Sequence, residues 1–359
     1  MMHTYRLALI GFGNVGQGFA QILREHGAQL AAGTGADLQI VAVSDLMKGS
    51  VYDPDGLDPA ALLAAVQGQE SLENVEAPHK GWDALQTIAE SNADVILEMS
   101  FTDLETGEPA LTHVRRALAA GRDVVTTNKG PTALAFPELQ ELATENGASI
   151  GVEGTVMSGT PALRLGEELL AGAGIRRIQG ILNGTTNYIL TQMEAGASYE
   201  EALAEAQEKG YAEADPSGDV EGHDAAGKVV ILANLLMGQS LTLADVACEG
   251  ITGLTPAAIG EAEEAGERWK LIGMVEKGEG EVKASVRPTR LPHSHPLAGV
   301  GGATNAITYT TDLLGDVTLI GPGAGRVETG YALLGDILAL HRRRNSRGAG
   351  GTGQEGGAS

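Results

Sequence analysis

The chain has 359 residues, a formal net charge of −23 at pH 7 and one cysteine, Cys248. That length suits two domains with a sizeable core, the charge excludes a nucleic-acid partner because nothing offsets phosphate repulsion, and one cysteine excludes an internal disulfide framework. No apolar run reaches membrane-spanning length and the start, MMHTYRLALIG, lacks a signal-peptide layout, so no membrane partner and a cytoplasmic location are expected. The acidic balance also means that an anionic cofactor must be held by backbone groups and a few placed cations. Lysine occurs 8 times and arginine 16, and aromatic residues are scarce. This acid-rich, lysine-poor composition suits solubility at high salt, and a halophilic source is expected.

The opening YRLALIGFGNVG is an apolar strand that runs into Gly11-Phe12-Gly13-Asn14-Val15-Gly16. Val15, Phe19, Ile22 and Leu23 then fall on one helical stripe, with Gly27 as the predicted stop. Strand, G-x-G-x-x-G and helix form the context of a dinucleotide fingerprint. Gly11 permits the tight turn, Gly13 lets a pyrophosphate approach, and Gly16 lets helix and strand pack closely. The helix N-terminus supplies the field an anion needs. A second strand, LQIVAVSD, ends at Asp45, where a ribose-binding acid would stand, after the polar stretch 28–37. Asp45 favours NAD by accepting from a 2′-hydroxyl, whereas nearby Lys48 suits the 2′-phosphate of NADP, so both cofactors stay open, with a lean to NAD or dual use.

Strands and helices continue to alternate through ADVILEMS, ETGEPALTHVRRALAAG, RDVVTTNKG, a helix from Pro131 to Gly147, and ASIGVEG. The alternation predicts an α/β fold whose first domain is a Rossmann-type, doubly wound parallel sheet over residues 1–152. Ligands gather at the carboxyl ends of such strands, which places Ser100, Thr102, Thr127, Asn128 and Lys129 at the rim.

Near Glu153 the character changes. EGTVMSGTPAL starts a helix, RRIQGILNG reads as a strand, and TTNYILTQME begins a helix that Thr185 and Thr186 can cap. From Arg268 onward, KLIGMVEKG, EVKASVRPTRLP and NAITYTTDLLGDVTLIGPG predict an antiparallel sheet packed on helices, with one face available for a homodimer. This gives an α+β substrate-binding and dimerisation domain over 153–318. A glycine turn and helix over 319–342 return to the first domain. The glycine-rich tail 343–359 is expected to be disordered. His293 and His295 have no clustered partners and are read as packing residues, not metal ligands.

The densest chemistry lies in GYAEADPSGDVEGHDAAGK, residues 210–228, where five acids precede Lys228. The apolar VVILANLL that follows marks a buried helix. Asp224 and Lys228 are then four apart on one face, and a lysine desolvated beside carboxylates can move a proton. From spacing alone an ordinary surface ion pair, which stabilises little, is the weightier reading.

The order and spacing of Gly210, Tyr211, Glu213, Asp215, Pro216, Asp219, Asp224 and Lys228 resemble the active-site segment of homoserine dehydrogenases. The resemblance runs over about residues 5–340 and includes TTNKGP at Lys129, NGTTNY at Gly184 and Thr185, and the terminal glycine turn at Gly325 and Thr329. It implies reversible, NAD- or NADP-dependent interconversion of L-aspartate 4-semialdehyde and L-homoserine, a step in threonine and methionine biosynthesis. Lys228 is then the first candidate proton donor and Lys129 the second, with Asp224 orienting Lys228. Glu213 would receive the substrate ammonium, Asp219 would help place the substrate, and Tyr211, Gly184 and Thr185 would hold its polar end. The fingerprint residues Gly11, Phe12, Gly13, Asn14, Val15 and Gly16, with Ser100, Thr102, Lys129, Gly325 and Thr329, would meet the cofactor. Glu153, Val156, Ser158 and Thr160 match a crossover that can hold a monovalent cation, Na+ or K+, through oxygen ligands. Glu328 stands where many members carry a proline or another residue, a departure that bears on the contacts at Thr329. No ACT-type module is expected after the catalytic part and no kinase module before it. Two rivals remain at this stage: a related dehydrogenase with another amino-acid or aldehyde substrate, and a non-catalytic dinucleotide sensor.

Overall fold

The computed structural model describes residues 2–69, 71–278 and 280–350. Its first sheet contains β1 (His3–Ile10), β2 (Ala36–Asp45), β3 (Gly49–Tyr52), β4 (His79–Lys80), β5 (Val95–Glu98), β6 (Asp123–Thr126) and β7 (Ile150–Gly151). The strand order is β4-β3-β2-β1-β5-β6-β7. β2, β1, β5, β6 and β7 run parallel, as the alternation predicts. They read as nearly continuous apolar runs because helices cover both faces. One face packs on helix Asn14–Thr34 and the terminal helix Arg326–Gly350, and the other on helices Ala84–Glu90, Ala110–Ala119 and Lys129–Glu145. The antiparallel edge of β3 and β4 was not anticipated. GSVY is too short to stand out from the loop around it.

The second sheet contains β8 (Ile175–Ile181), β9 (Val246–Cys248), β10 (Glu267–Lys277), β11 (Val282–Pro292), β12 (Thr304–Thr311) and β13 (Gly315–Pro322), in the order β13-β12-β8-β10-β11-β9. The pairs of β8, β10, β11, β12 and β13 are antiparallel, as expected, while β9 joins the edge in parallel. One face packs on helices Gly184–Glu194 and His223–Met237. The opposite face carries a smaller apolar cluster, Ile181, Ile272 and Leu291 with Leu297, Ala298 and Val300. Among the described residues no helix is long and apolar enough to cross a membrane.

Two boundaries differ from expectation. Gly27 does not stop the first helix, which continues to Thr34 and ends at the left-handed Gly35, whose N–H bonds the Ala31 carbonyl. A Cβ on Gly27 would meet nothing within 4 Å, so this glycine is only a weak point on the solvent side of a packed helix. The tail expected to be disordered from 343 is helical to Gly350, and 351–359 lie outside the described residues. The added turns are anchored to the rest of the chain: Arg344 reaches Asp123 at 2.6 Å and Arg343 reaches Glu168 at 2.9 Å.

The terminal helix is seated by close backbone approach. A Cβ on Gly330 would lie 2.6 Å from the Phe19 amide nitrogen, and one on Gly18 would overlap the Arg326 carbonyl. A buried charge cluster also joins the terminal helix to the crossover. The Asp336 carboxylate accepts from the Glu153 N–H at 3.0 Å and pairs with Arg164 at 2.5 Å, while Glu153 lies 4.0 Å from the same guanidinium. Burial, reinforced by the Asp336 charge, pushes Glu153 up to about 7. Burial likewise pushes Asp336 up to about 6, although Arg164 opposes it. One guanidinium lies against two buried acids, so both carboxyls hold their protons to a higher pH than usual.

These contacts generate two predictions. Gly330→Val should lower stability by about 1–3 kcal/mol in chemical denaturation, because the helix must move off Phe19; an unchanged midpoint would show that the approach is not tight. The raised carboxyls bind protons more tightly folded than unfolded, so their contribution is fully present below about pH 4 and is lost as pH rises through about 6 to 7. Asp336→Asn should therefore flatten the fall in melting temperature between about pH 4 and 7, and a curve parallel to the parent's would contradict the assignment.

Candidate active site

A cleft of about 1020 Å³ opens between the two sheets, at the carboxyl ends of β1, β5 and β6. The helix His223–Met237 forms its back wall and packs against helix Lys129–Glu145 on one side and β10 and β11 on the other. Its burial follows from VVILANLL, and Asp224 lies in its first turn, where the helix field favours an acid.

Asp224 is the hub. Its Oδ2 accepts from Lys228 Nζ at 2.7 Å and from Asn183 Nδ2 at 3.0 Å, and its Oδ1 lies 3.3 Å from Lys129 Nζ. Burial pushes the Asp224 carboxyl up, but the charges of Lys228 and Lys129 and the bonds from Lys228 and Asn183 outweigh it and hold the group well below the usual carboxylate range. Lys228 is buried and also donates to the Leu182 carbonyl at 2.6 Å. Two of its three N–H bonds are thus directed, and the pair is not the exposed one that spacing alone suggested. Lys129 reaches the same acid from the first domain because Asn128 caps its helix, accepting from Gly130 N–H at 3.0 Å. The structure brings together both candidate lysines on one carboxylate.

Glu213, Asp219, Tyr211, Gly184 and Thr185 all line the cleft. Asp219 accepts from Asn183 Nδ2 at 2.6 Å, and burial, then the Asp224 charge, raise its carboxyl. Thr185 donates to the Tyr211 carbonyl at 2.7 Å, and the Tyr211 ring packs 5.0 Å from that of Tyr188. Thr185 and Thr186 do not cap helix Gly184–Glu194. Asn183 does so, accepting from Thr186 N–H at 2.9 Å, because its β-region backbone aims the short side chain at the free amides. The same side chain donates to both Asp219 and Asp224, a bridging role that sequence reasoning missed. Glu98 was also missed. It is fully buried at the tip of β5, where it accepts from Ser100 N–H at 3.2 Å and from the Ser100 hydroxyl, and lies 3.4 Å from Thr126 Oγ1 and His113 Nδ1. Thr126 in turn accepts from Asn128 N–H at 3.0 Å, so this acid underlies the loop that presents Lys129. The only signal was a glutamate ending an otherwise apolar strand.

The fingerprint turn fits a dinucleotide. Gly11 has φ 98°, and a Cβ there would lie 2.6 Å from the Met99 carbonyl, so only glycine is accommodated. A Cβ on Gly13 would point into open space, and one on Gly16 would lie 2.8 Å from the Gly11 carbonyl. Asn14, Val15, Ser100, Thr102, Gly325 and Thr329 line the cleft, whereas Phe12 does not: its ring is wholly buried, its N–H goes to Asp45 and its carbonyl accepts from Gln17. Asp45 and Lys48 lie outside the cleft walls. Asp45 accepts from the Phe12, Met47 and Lys48 amides at 2.6, 3.0 and 2.9 Å, and Lys48 Nζ stands 3.9 Å from it. Instead of opposing each other across a ribose, the acid and the cation are paired.

The crossover is a tight turn in which Ser158 takes φ 54° and ψ −128°. Its side-chain oxygens already have partners. Both Glu153 oxygens accept backbone N–H groups, from Leu163 at 2.8 Å and Arg164 at 2.9 Å; Ser158 Oγ bonds Thr329 Oγ1 at 2.8 Å; Thr160 Oγ1 donates to the Pro322 carbonyl at 2.9 Å. Among the described residues no group of three or more His, Cys, Asp or Glu could hold a metal ion.

Comparison with known proteins agrees with this geometry. Residues 11–153 match the model of the homoserine dehydrogenase NAD binding domain, and residues 161–338 that of homoserine dehydrogenase. The chain is 47% identical over 344 residues to the NAD(+)-dependent homoserine dehydrogenase of Pseudomonas canavaninivorans, covering 95% of this chain and 97% of that one. It is 40% identical to the homoserine dehydrogenase of Methanocaldococcus jannaschii, over 93% of this chain and 98% of the relative. The crystal structure of a putative homoserine dehydrogenase from Archaeoglobus fulgidus superposes with a TM-score of 0.84 at 36% identity, over 95% of this chain and 99% of that one. A hyperthermophilic archaeal homoserine dehydrogenase in complex with NADPH superposes at 0.80 with 30% identity, over 95% and 98%. With a dinucleotide fingerprint on one wall and two lysines joined through a carboxylate on the other, the chain belongs to the homoserine dehydrogenase family of NAD(P)-dependent oxidoreductases acting on a CH–OH group.

Proposed function

We propose that the cleft interconverts L-aspartate 4-semialdehyde and L-homoserine, with Lys228 as the group that gives a proton to the carbonyl oxygen and takes it back in reverse. The observation that carries this reading is the Asp224 bridge, which holds two ammonium groups on the wall facing the fingerprint turn. Bound nicotinamide supplies or accepts the hydride. The carbonyl oxygen gains negative charge as hydride arrives, and a positioned ammonium both stabilises that charge and neutralises it by proton transfer. Lys228 has its other N–H bonds directed to Leu182 and Asp224, which leaves one N–H for the substrate. Lys129 keeps Asp224 compensated while Lys228 is neutral. Glu213 receives the substrate ammonium, Asp219 and Asn183 set the floor beneath it, and Gly184, Thr185 and Tyr211 hold its polar end.

NAD is the favoured dinucleotide and NADP is also accepted: Asp45 at the end of β2 suits a ribose hydroxyl, and its pairing with Lys48 weakens that lysine as a 2′-phosphate site. A Pseudomonas relative named as NAD(+)-dependent supports this preference, and an archaeal relative in complex with NADPH supports dual use. A monovalent cation at the crossover would rest on the backbone carbonyls around Glu153, Val156, Ser158 and Thr160, whose side chains are engaged elsewhere. Neutral oxygens of that kind suit Na+ or K+ and would stiffen the turn. A homodimer through the outer face of the second sheet, residence in the cytoplasm at high salt, and a place in threonine and methionine biosynthesis complete the reading. The functional division follows the cleft: residues 1–152, with the returning terminal helix, hold the dinucleotide, and the second domain from 153, whose sheet runs on past 318 to Pro322, holds substrate and partner subunit.

The test is consumption of NADH and NADPH with L-aspartate 4-semialdehyde in high-salt buffer. Turnover is expected with both and faster with NADH, whereas a folded, cofactor-binding sample without turnover would overturn the reading. Lys228→Ala should lower kcat by about 10²- to 10⁴-fold. If Lys228→Ala keeps near-normal turnover and Lys129→Ala does not, the proton donor is Lys129.

A further inference from the structure

We infer that Arg326, carried by the returning terminal helix, is the cation that meets the pyrophosphate of the bound dinucleotide; the inference rests on the dehydrogenase reading of the cleft. Arg326 opens helix Arg326–Gly350 and lines the cleft, as do Asn14 and Val15, the first residues of the fingerprint helix. Its stem lies against that helix: a Cβ on Gly18 would sit 3.1 Å from Arg326 Cγ. The side chain therefore starts one turn from the amides that the fingerprint offers to an anion.

The other cations of the cleft are engaged. Lys129 and Lys228 share Asp224, and Lys209 lies 3.0 Å from Glu205. Arg326 is exposed and has no ion-pair partner among the described residues. Glu328, in the same turn, folds its carboxylate over Gly325 and does not pair with it. Lys48 stands outside the cleft walls, 3.9 Å from Asp45.

Charge favours a cation at this point. The chain carries a net −23, and a pyrophosphate adds two negative charges. A helix N-terminus offers only about half a unit of positive charge. A guanidinium presents a planar fork that can donate to two phosphate oxygens together, and it stays charged at every working pH. Because Arg326 belongs to the helix seated on Gly18 and Phe19, cofactor affinity depends on a segment more than 300 residues from the fingerprint in the chain.

The experiment is titration of NADH and NADPH into the full chain, parent and variants, followed by nicotinamide fluorescence or calorimetry at several salt concentrations. Arg326→Gln should weaken both dinucleotides by a similar factor of at least about tenfold and make Kd less sensitive to salt. Arg326→Lys should recover part of the loss. Affinities within twofold of the parent for both cofactors would overturn the assignment. A loss confined to NADPH would also overturn it, because it would move Arg326 to the 2′-phosphate. If the parent binds neither dinucleotide, the cofactor reading itself fails, an outcome separate from any effect of Arg326.

Discussion

The carboxylate of Asp224 is the point at which the two halves of the molecule meet electrically. It is held by Lys228 from its own helix, by Lys129 from the first sheet's helices and by Asn183 from the end of β8. A partly buried acid in this position persists as an anion because these donors compensate it, and removing both lysines would leave it without a countercharge. The arrangement also suits the proposed proton transfer. When one lysine gives up its proton, the other still faces the acid, so the cost of the neutral state is moderated. A single lysine–aspartate pair in the same enclosure would resist proton transfer more strongly, since the transfer would leave the carboxylate alone.

That hub works only if the two lysines arrive from opposite sides with their stems fixed. Lys228 is fixed by an apolar helix, most of whose residues are buried in the second domain's core. Lys129 is fixed differently, through a polar scaffold. Asn128 caps its helix and donates to the Ser100 and Phe101 carbonyls at 3.1 and 2.9 Å, and Thr126 links Asn128 to Glu98 beneath. A buried acid at a strand tip thus orders the loop carrying one of the two candidate lysines. Apolar packing sets the position of the first lysine, and a satisfied hydrogen-bond network sets that of the second.

Most of the first domain was legible because parallel strands buried on both faces leave continuous apolar runs, and a fingerprint glycine turn has few alternatives. The candidate lysines and acids were legible through resemblance, while spacing alone favoured an exposed ion pair at Asp224 and Lys228. What depends on encounters far apart in the chain was not legible. Asn183 looks like the end of a strand until Asp219 and Asp224 fold onto it, and Glu98 looks like an interruption in ADVILEMS until His113 and Thr126 surround it. The start of the tail was misjudged from composition: Arg343 and Arg344 gain order from Glu168 and Asp123, acids that lie 175 and 221 positions earlier.

The return of the chain to its first domain follows from the same need for fixed geometry. The crossover after β7 carries the chain out of the first sheet, and one covalent passage would leave the two sheets free to pivot. The terminal helix adds a second passage and fastens it at several points. Ser158 meets Thr329, Thr160 meets the Pro322 carbonyl, and the Glu153 amide meets Asp336. Each contact joins the outgoing strap to the incoming one, so the two cross as a braced pair beside the cleft. The raised carboxyls of Glu153 and Asp336 lie inside that brace, where one arginine serves both. A hydrophobic substitute would pack there at less electrostatic cost, but it would not specify which residue of one strap faces which residue of the other. Register between the straps sets the distance from fingerprint to lysines, and hydride transfer tolerates little error in that distance.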